Sequence, residues 1–246
     1  MAETAYIEGA RGNRLAYVLT EGAGPCVVFL SGYRSDMEGT KAVHLENWAR
    51  SSGRAFLRLD YGGHGLSGGV FEDGCIGDWA ADAETVIRQA APGPVVLVGS
   101  SMGGWIAALL ARRLPDIAGF VGIAAAPDFT EDGFWAGLSA DQRHQVIEDG
   151  QVLLPSAYEH PYVITRRLIE DGRENLVLRA PLAMDWPVRL LQGTEDESVP
   201  RETALRLLDA IEGPDTRLTL VKDADHRFSS PECLAIIEAV LAEMLP

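Results

Sequence analysis

The sequence predicts an α/β fold in which a mainly parallel sheet lies between layers of helices. Short apolar runs that suit strands alternate with stretches of helical character along most of the 246 residues. One such run, 26–30, is apolar throughout, which is typical of a strand buried on both faces. The alternation is interrupted only between Pro127 and Pro187, and the chain length suits one large domain with an insertion.

The elements are expected in a regular order along the chain. Residues 6–8 and 15–19 flank a glycine-containing turn and predict an N-terminal antiparallel hairpin. Further strands are predicted at 26–30, 55–59, 95–98, 120–124, 188–192 and 217–221, and helices at about 39–51, 79–91, 105–113, 200–211 and 230–245. The last helix opens with Ser230 as its capping residue and Pro231 at its first position, where both residue types are favoured.

The interruption in the pattern predicts a cap. The α/β core is expected to comprise residues 1–126 and 187–246, and the cap insertion residues 127–186. Within the insertion, Ser139 and Gln142 can cap a helix reciprocally. Apolar and aromatic residues follow at 152–154, Tyr158 and Tyr162. Because α/β folds bind ligands at the carboxyl ends of their strands, we expect the insertion to lie over that edge of the sheet.

A serine stands at the sharpest predicted turn of the chain. The strand at 95–98 runs into Gly99-Ser100-Ser101-Met102-Gly103 and then into a helix. This stretch matches the G-x-S-x-G nucleophile elbow, in which a serine hydroxyl projects above the sheet. Glycines are needed two residues before and after the serine because side chains there would collide in so tight a turn. Ser101 is therefore the predicted nucleophile.

A serine nucleophile needs a base to accept its proton, and the base needs an acid to orient it. In this architecture the three residues follow one another along the chain as serine, acid and histidine. His226 follows the last predicted strand and so lies at the same edge of the sheet as Ser101. His144 and His160 lie inside the insertion. The sequence therefore favours His226 as the base.

The acid is expected in the loop after the strand at 188–192. Three carboxylates compete there, and the spacing of glycine, two residues, acid favours Asp196 over Glu195 and Glu197, which would face solvent. Asp225 precedes His226 directly, but neighbouring side chains on an extended loop diverge. Asp196 is therefore the predicted partner of the histidine.

Attack on a carbonyl also requires two backbone donors for the oxyanion. One is the amide of the residue after the nucleophile, Met102. The other is expected in the loop after the strand at 26–30, where Gly32 places a flexible residue just before the Tyr33 amide. Loss of one such donor typically lowers the rate by about 10²–10³.

Charge and composition exclude several classes of partner. The formal net charge of −15 would repel a nucleic-acid backbone or an anionic membrane surface, so neither is expected as a partner. No apolar run is long enough to span a bilayer and no leader segment is evident, which predicts a cytoplasmic location. The three cysteines are far apart and form no disulfide framework.

Nucleotide and metal sites lack support in the sequence. The segment 63–68 fits the dinucleotide motif G-x-G-x-x-G and follows a strand, but residues 69–74 do not continue as a helix, so no helix N-terminus is available for a pyrophosphate. No phosphate-binding loop and no cluster of cysteine and histidine with metal-ligand spacing is present. The sequence therefore predicts neither a cofactor nor a metal.

Over nearly its whole length the chain resembles the α/β-hydrolase superfamily. The loop 60–67, DYGGHGLS, is similar to the superfamily's D-x-x-G-x-G-x-S segment. A closer resemblance is to the mitochondrial abhydrolase-type acyl-protein (palmitoyl) thioesterases, also known as acyl-glucuronide esterases. It is carried by the stretches 32–42, 99–105, 193–200 and 225–227. The first is fairly specific, because most α/β-hydrolases have His-Gly where this chain has Ser31-Gly32.

The resemblance implies hydrolysis of S-acyl thioesters or acyl esters through Ser101, Asp196 and His226. We therefore expect a cofactor-free serine hydrolase whose substrate is a small molecule or an acylated partner with an apolar acyl group. Two alternatives stand beside this hypothesis. A carbon–carbon bond hydrolase uses the same triad, and a non-catalytic member of the superfamily would bind a small molecule beneath the cap.

Overall fold

The computed structural model describes residues 3–155 and 162–245. Within these residues the strands are β1 (Ala5–Glu8), β2 (Arg14–Thr20), β3 (Ala23–Leu30), β4 (Arg54–Leu59), β5 (Val95–Ser100), β6 (Ile117–Ile123), β7 (Gln151–Leu154), β8 (Tyr162–Thr165), β9 (Leu182–Ala183), β10 (Val188–Gly193), β11 (Ile211–Glu212) and β12 (Thr216–Val221). The helices are α1 (Thr40–Ser51), α2 (Ile76–Ala90), α3 (Met102–Leu110), α4 (Ala140–Glu148), α5 (Arg166–Glu174), α6 (Arg201–Ala210) and α7 (Pro231–Met244). A 3₁₀ turn at Phe71–Asp73 and a π-helical turn at Thr130–Trp135 complete the set.

Eight strands form the central sheet, in the order β1-β2-β4-β3-β5-β6-β10-β12. The pairs β1–β2 and β2–β4 are antiparallel, and the pairs from β4 through β3, β5, β6 and β10 to β12 are parallel. The predicted fold class, a mainly parallel sheet with an N-terminal antiparallel hairpin and helices on both faces, is thus confirmed.

Each face of the sheet packs against its own set of helices. Along β5, Val95 and Leu97 point to a core shared with α2, α3 and α6, whereas Val96 and Val98 point to a core shared with α1 and α7. This alternation follows from the two-residue period of a strand, and it explains why the run is apolar throughout. Because β3, β5, β10 and β12 belong to the parallel part of the sheet, the loops that follow them meet at one edge.

Most predicted element boundaries lie within one or two residues of the observed ones. Four elements begin three residues earlier than predicted: β3 at Ala23, β6 at Ile117, α2 at Ile76 and α3 at Met102, and α3 also ends three residues early. The early start of α2 has a structural explanation. The amide of Gly77 donates to Asp171 Oδ2 at 2.8 Å, so a carboxylate from α5 stabilises the first turn. A Cβ at Gly77 would lie 2.7 Å from Asp171 Oδ1, which explains why glycine occupies this position. The early start of α2 therefore depends on a contact distant in sequence.

The segment 127–186 connects β6 to β10 and carries a small core of its own. Five buried residues form this core: Leu138, Val146, Val152, Ile164 and Ile169. The predicted reciprocal capping of α4 is present, with Ser139 accepting from the Gln142 amide and Gln142 accepting from the Ser139 amide. The hairpin of β7 and β8 was not anticipated from the sequence, and the predicted apolar patch at 152–154 forms its first strand. Tyr158 lies outside the described residues.

Hydrogen bonds join the two ends of this segment to each other and tie it to the core helices. Asp128 is fully buried and accepts hydrogen bonds from the amides of Val177 and Leu178 and from the Arg179 guanidinium, at 2.8, 3.0 and 3.2 Å. The indole of Trp105 donates to the Asn175 carbonyl at 2.9 Å. The Asp128 contacts are internal to the segment, whereas the Trp105–Asn175 and Gly77–Asp171 contacts tie it to α3 and α2. None of the helices in the described parts of the chain has the length and apolarity needed to cross a membrane.

Candidate active site

Ser101 lies at the turn between β5 and α3 in a strained backbone conformation. Its φ of 53° is in the left-handed region, which a residue with a side chain rarely adopts, at a free-energy cost of about 1–3 kcal/mol. The turn is held by the Ser101 amide, which donates to the Ile123 carbonyl at 2.9 Å, and by the Ser101 carbonyl, which accepts from the amide of Ala126 at 3.0 Å. The neighbouring strand β6 and the residues after it thus hold the conformation.

The glycines on either side of Ser101 are required by close backbone approach. A Cβ at Gly99 would lie 2.3 Å from the carbonyl oxygen of Gly103. A Cβ at Gly103 would lie 2.0 Å from the carbonyl oxygen of Leu30, at the end of β3. Both distances are far below van der Waals contact, so neither position accepts a side chain unless the backbone moves.

A chain of hydrogen bonds joins the three predicted triad residues. His226 Nε2 lies 3.1 Å from Ser101 Oγ, and His226 Nδ1 lies 2.9 Å from Asp196 Oδ2. The side chain of Asp196 is 1% exposed and that of His226 is 23% exposed. The histidine is therefore held on its inner side by a buried carboxylate, while its other nitrogen meets the serine hydroxyl.

The surroundings of Asp196 keep its carboxylate charged. Oδ1 accepts from the amides of Ser198 and Val199 at 2.9 and 2.8 Å, and Oδ2 also accepts from Gln192 Nε2 at 3.0 Å. Burial by itself raises the pKa of Asp196, but the hydrogen bonds from His226, Val199 and Gln192 outweigh it and hold the pKa below its ordinary value. An ionised Asp196 can stabilise a positive charge on the imidazole.

The described residues that the sequence offered as alternative acids and bases take no part in the hydrogen bonds of the triad. Glu195 and Glu197 are exposed, as the sequence predicted, and Asp225 accepts a hydrogen bond from the amide of Phe228 at 3.1 Å. His144 is exposed on α4. His160 lies outside the described residues. The structure therefore brings together Ser101, Asp196 and His226 and leaves the described alternatives apart.

The two amides predicted as oxyanion donors lie close to the serine. Met102 is the first residue of α3, where amide groups have no acceptor within the helix. Gly32 precedes Tyr33, and a Cβ built on Gly32 would lie 3.3 Å from the Cβ of Ser101. Within the described residues, neither the Met102 nor the Tyr33 amide donates to a protein acceptor. Both amides thus have an unused hydrogen-bond donor, which an oxyanion site requires.

A cavity of about 310 Å³ opens beside Ser101 and His226. Aromatic and apolar residues form much of its lining: Tyr33, Ala126, Phe129, Phe134, Tyr162 and Val199. Polar and cationic residues also line it: Ser35, Lys41, Ser100, Ser198 and Arg227. Such a cavity can bind a substrate that has both an apolar and a polar portion.

Tyr33 is the centre of the aromatic wall. Its ring makes edge contacts with Phe71, Phe129, Phe134 and Tyr162, at centroid distances of 4.9 to 5.8 Å. Burial raises the pKa of the phenol, so the hydroxyl stays protonated and donates to the Val163 carbonyl at 3.3 Å. One residue thereby supplies a candidate oxyanion amide, lines the cavity and contacts the segment 127–186.

The glycine-rich loop at 60–68 supports this wall. The carboxylate of Asp60 accepts from the amides of Met37 and Leu66 at 2.7 and 2.8 Å, which ties the loop to the one that carries Tyr33. The 3₁₀ turn at Phe71–Asp73 follows, and α2 begins only at Ile76. The loop is therefore a structural element beside the cavity, and the dinucleotide motif has no helix directly after it.

Several cavity residues were not assigned a role from the sequence. Phe129 and Phe134 belong to the segment 127–186, whose packing could not be derived from its pattern. Lys41 and Arg227 stand in the stretches 32–42 and 225–227, which carry the resemblance, but no motif distinguished them. Only the folded chain shows that they share a cavity with Ser101.

Comparison with known proteins identifies close relatives. The model of a family described as serine aminopeptidase, S33 (Hydrolase_4) matches residues 23–167. The palmitoyl-protein thioesterase ABHD10, mitochondrial, of Rattus norvegicus is 34% identical over 94% of this chain and 78% of its own.

Two solved structures are similar over nearly the full length. A protein from Agrobacterium vitis S4 is 38% identical and has a TM-score of 0.95, with 100% of both chains covered. The alpha/beta hydrolase domain-containing protein 10 from mouse is 31% identical with a TM-score of 0.91, covering 99% of this chain and 98% of its own.

The relatives correct one prediction. The cytoplasmic location expected from the sequence is wrong, because the curated relatives that match over most of the chain are mitochondrial proteins. The expectation depended on the lack of an evident leader and of a bilayer span. Neither feature distinguishes the cytoplasm from the interior of an organelle, since a folded hydrolase domain can be the same in both.

Proposed function

The chain belongs to the Hydrolase_4 family of α/β-hydrolases, and on that premise we propose that Ser101, His226 and Asp196 are its catalytic triad. The protein is a serine hydrolase that acts on ester or thioester bonds of an acylated substrate. The observation that carries the proposal is the continuous set of hydrogen bonds from the buried Asp196 through His226 to Ser101, beside a cavity.

In the proposed mechanism His226 transfers the proton. As Ser101 Oγ attacks the acyl carbon, Nε2 accepts the hydroxyl proton, and Asp196 stabilises the imidazolium through Nδ1–H. The imidazolium then protonates the departing alcohol or thiol, which leaves an acyl group on Ser101. Water attacks this ester with His226 again acting as base, and the carboxylic acid is released.

The amides of Met102 and Tyr33 are the proposed donors to the oxyanion. They are fixed by the start of α3 and by the Gly32–Tyr33 turn, so they need no reorganisation when negative charge develops on the substrate oxygen. Ser101 itself has a φ of 53° and a ψ of −119°, the strained backbone expected of the serine in a nucleophile elbow.

We propose that the aromatic part of the cavity binds an apolar acyl group. Phe129, Phe134 and Tyr162 come from the segment 127–186, which in this proposal acts as the cap over the α/β core formed by residues 1–126 and 187–246. Apolar surfaces of this kind bind acyl chains by excluding water from both partners. Acyl groups on a protein cysteine or on a small alcohol both satisfy this requirement.

The direct test is labelling with a fluorophosphonate, which forms a covalent adduct with an activated serine. We expect the adduct on Ser101 in the folded protein and none in Ser101→Ala. Ser100→Ala, which changes the neighbouring serine, is the matched control and should still be labelled. A folded wild-type protein without an adduct would refute the triad.

Rates on matched substrates then define the leaving group and acyl length. Thioesters and oxygen esters of the same acyl chain, compared over a series of chain lengths, give kcat/KM for each, and all activity should disappear in Ser101→Ala. The names of the relatives favour ester and thioester hydrolysis over a carbon–carbon bond hydrolase or a non-catalytic binding module. A folded wild-type protein that hydrolyses none of these esters and thioesters would return those alternatives, whereas a Ser101→Ala protein as active as the wild type would refute the triad.

A further inference from the structure

The loop that carries the Tyr33 amide depends on one glycine for its geometry. Gly32 joins two peptide groups, and the second of them contains the Tyr33 N–H. Because glycine has no Cβ, rotation about its backbone bonds meets little steric resistance. The Tyr33 N–H therefore keeps a fixed direction only if neighbouring groups hold the peptide on each side of Gly32.

A turn holds the peptide that contains the Tyr33 amide. The carbonyl oxygen of Gly32 accepts a hydrogen bond from the Ser35 amide at 3.1 Å. Since the C=O and N–H of a planar trans peptide point in opposite directions, this bond directs the Tyr33 N–H away from Ser35. The turn places Arg34 at a φ of 57°, which is strained for a residue with a side chain. Strained conformations persist only where the surroundings hold them, so we expect further support at Gly32.

The peptide before Gly32 is held by a residue from the neighbouring strand. Tyr61 follows β4, which pairs with β3, and its hydroxyl donates to the carbonyl oxygen of Ser31 at 3.2 Å. Tyr61 is fully buried, and burial raises the pKa of its phenol, so the hydroxyl stays protonated and remains a donor. The Ser31 side chain adds no support, because its buried Oγ makes no hydrogen bond with the described residues. The Tyr61 hydroxyl thus fixes this peptide.

Packing alone gives no reason for a hydroxyl at position 61. The ring lies in the larger core and makes an edge contact with His64 at a centroid distance of 5.3 Å. Phenylalanine would fill the same space without burying a polar atom, which costs free energy unless the atom is hydrogen-bonded. The acceptor that the described residues provide is the Ser31 carbonyl. The hydroxyl is therefore explained by its contact with the loop.

We propose that Tyr61 is a positioning residue for the oxyanion site. Its hydroxyl holds the Ser31 carbonyl, which fixes Gly32 and the direction of the Tyr33 N–H before substrate binds. The inference rests on the proposed function, in which the Tyr33 amide donates to the oxyanion. Tyr61 is not among the residues that line the cavity, so its effect should appear in stabilisation of the transition state and not in binding of the substrate.

The variant Tyr61→Phe tests this role, because it removes the hydroxyl and keeps the ring. For p-nitrophenyl butyrate, kcat/KM should fall roughly 10-fold, which is less than the loss of about 10²–10³ for a missing donor, because the amide is present but less well ordered. The acid limb of the pH profile of kcat/KM should keep its wild-type midpoint, since the triad is unchanged. Tyr17→Phe, at a partly buried tyrosine whose hydroxyl makes no hydrogen bond with the described residues, is the matched control and should leave kcat/KM unchanged.

Two ketones with the same propyl chain separate binding of the transition state from binding of the substrate. Trifluoromethyl propyl ketone forms a hemiketal: Ser101 Oγ adds to the carbonyl carbon, the hydroxyl proton passes to His226, and the ketone oxygen becomes an oxyanion. Methyl propyl ketone binds as the free ketone. In Tyr61→Phe the inhibition constant of the trifluoromethyl ketone should rise by the same factor by which kcat/KM falls, whereas that of the methyl ketone should not change.

The outcomes separate this inference from the proposed function. A Tyr61→Phe enzyme with the kcat/KM of the wild type overturns the positioning role and leaves the triad intact. A lower kcat/KM without a selective rise in the inhibition constant of the trifluoromethyl ketone, or with a shifted acid limb, also overturns it, because the loss would then come from the cavity or the triad. A wild-type enzyme that hydrolyses no ester and takes up no fluorophosphonate overturns both.

Discussion

His64, in the glycine-rich loop beside the cavity, makes the stability of the protein depend on pH. The ring is 3% exposed and lies against Phe71 and Trp79, at centroid distances of 4.9 and 5.1 Å. Nδ1 is 3.3 Å from the Gly62 carbonyl oxygen, whereas Nε2 is buried without a hydrogen-bond partner in the described residues. Protonation would bury an N–H without an acceptor, and burial accordingly lowers the pKa of His64 to about 4.

The sign of the effect follows from the two pKa values. An unfolded histidine has a pKa of about 6.5, so between that pH and about 4 the unfolded chain binds a proton that the folded chain does not. Acidification through this window therefore destabilises the folded state, by at most about 1.4 kcal/mol per pH unit. Between about pH 7 and pH 4.5 the loss from this one residue is about 2 kcal/mol.

The variant His64→Phe tests this reasoning, because it keeps an aromatic ring in the packing but cannot take up a proton. Urea unfolding at about pH 7 and pH 4.5 gives the loss of free energy of unfolding for each protein. We expect the variant to lose about 2 kcal/mol less than the wild type. His144→Gln, at an exposed position on α4, should behave like the wild type. Equal losses in His64→Phe and wild type would show that His64 is not held neutral.

Three further predictions concern the site and the segment 127–186. Asp196→Asn should lower kcat by about 10⁴ with the fold retained, because an amide cannot hold the imidazole in the required tautomer. Steady-state kinetics measure kcat and circular dichroism checks the fold. Only a small decrease in kcat would contradict the prediction. Phe134→Ala should raise kcat/KM for substrates with a long acyl chain relative to butyryl substrates, because it removes a ring that lines the cavity. If the ratio of the two kcat/KM values did not change, the acyl chain would not bind against Phe134. Arg179→Gln should reduce the free energy of unfolding by about 1–3 kcal/mol, because the buried Asp128 loses its charged partner. Arg201→Gln, which removes an exposed ion pair, is the control and should change the free energy of unfolding by less than about 0.5 kcal/mol.

The positions of the triad residues at strand ends explain why the sequence alone could predict that they lie together. Ser101, Asp196 and His226 each follow a strand that apolar composition predicts, and parallel strands bring their carboxyl ends to one edge of the sheet. The choice of Asp196 over Glu195 and Glu197 also followed from local spacing, and those two side chains are exposed. Local pattern sufficed here because chain direction and strand order constrain the geometry.

The segment 127–186 could be predicted only in part. The capping of α4 is local, since Ser139 and Gln142 contact each other, and the sequence predicted it. The hairpin of β7 and β8 and the π-helical turn at Thr130–Trp135 were not predicted. Short strands with one buried face carry a weak pattern, and these elements are held by a core of five residues spread over more than thirty positions of the chain.

The sequence by itself determined the layered fold, the strained serine turn and the edge of the sheet at which the chemistry should occur, because period, glycine spacing and strand direction are local properties. The tertiary structure decided the shape and charge of the cavity. Tyr33 is surrounded by rings from three separate parts of the chain, and Lys41 contacts Arg227 across 186 positions. No local pattern contains such contacts, since they arise only when loops from different strands are packed at one edge.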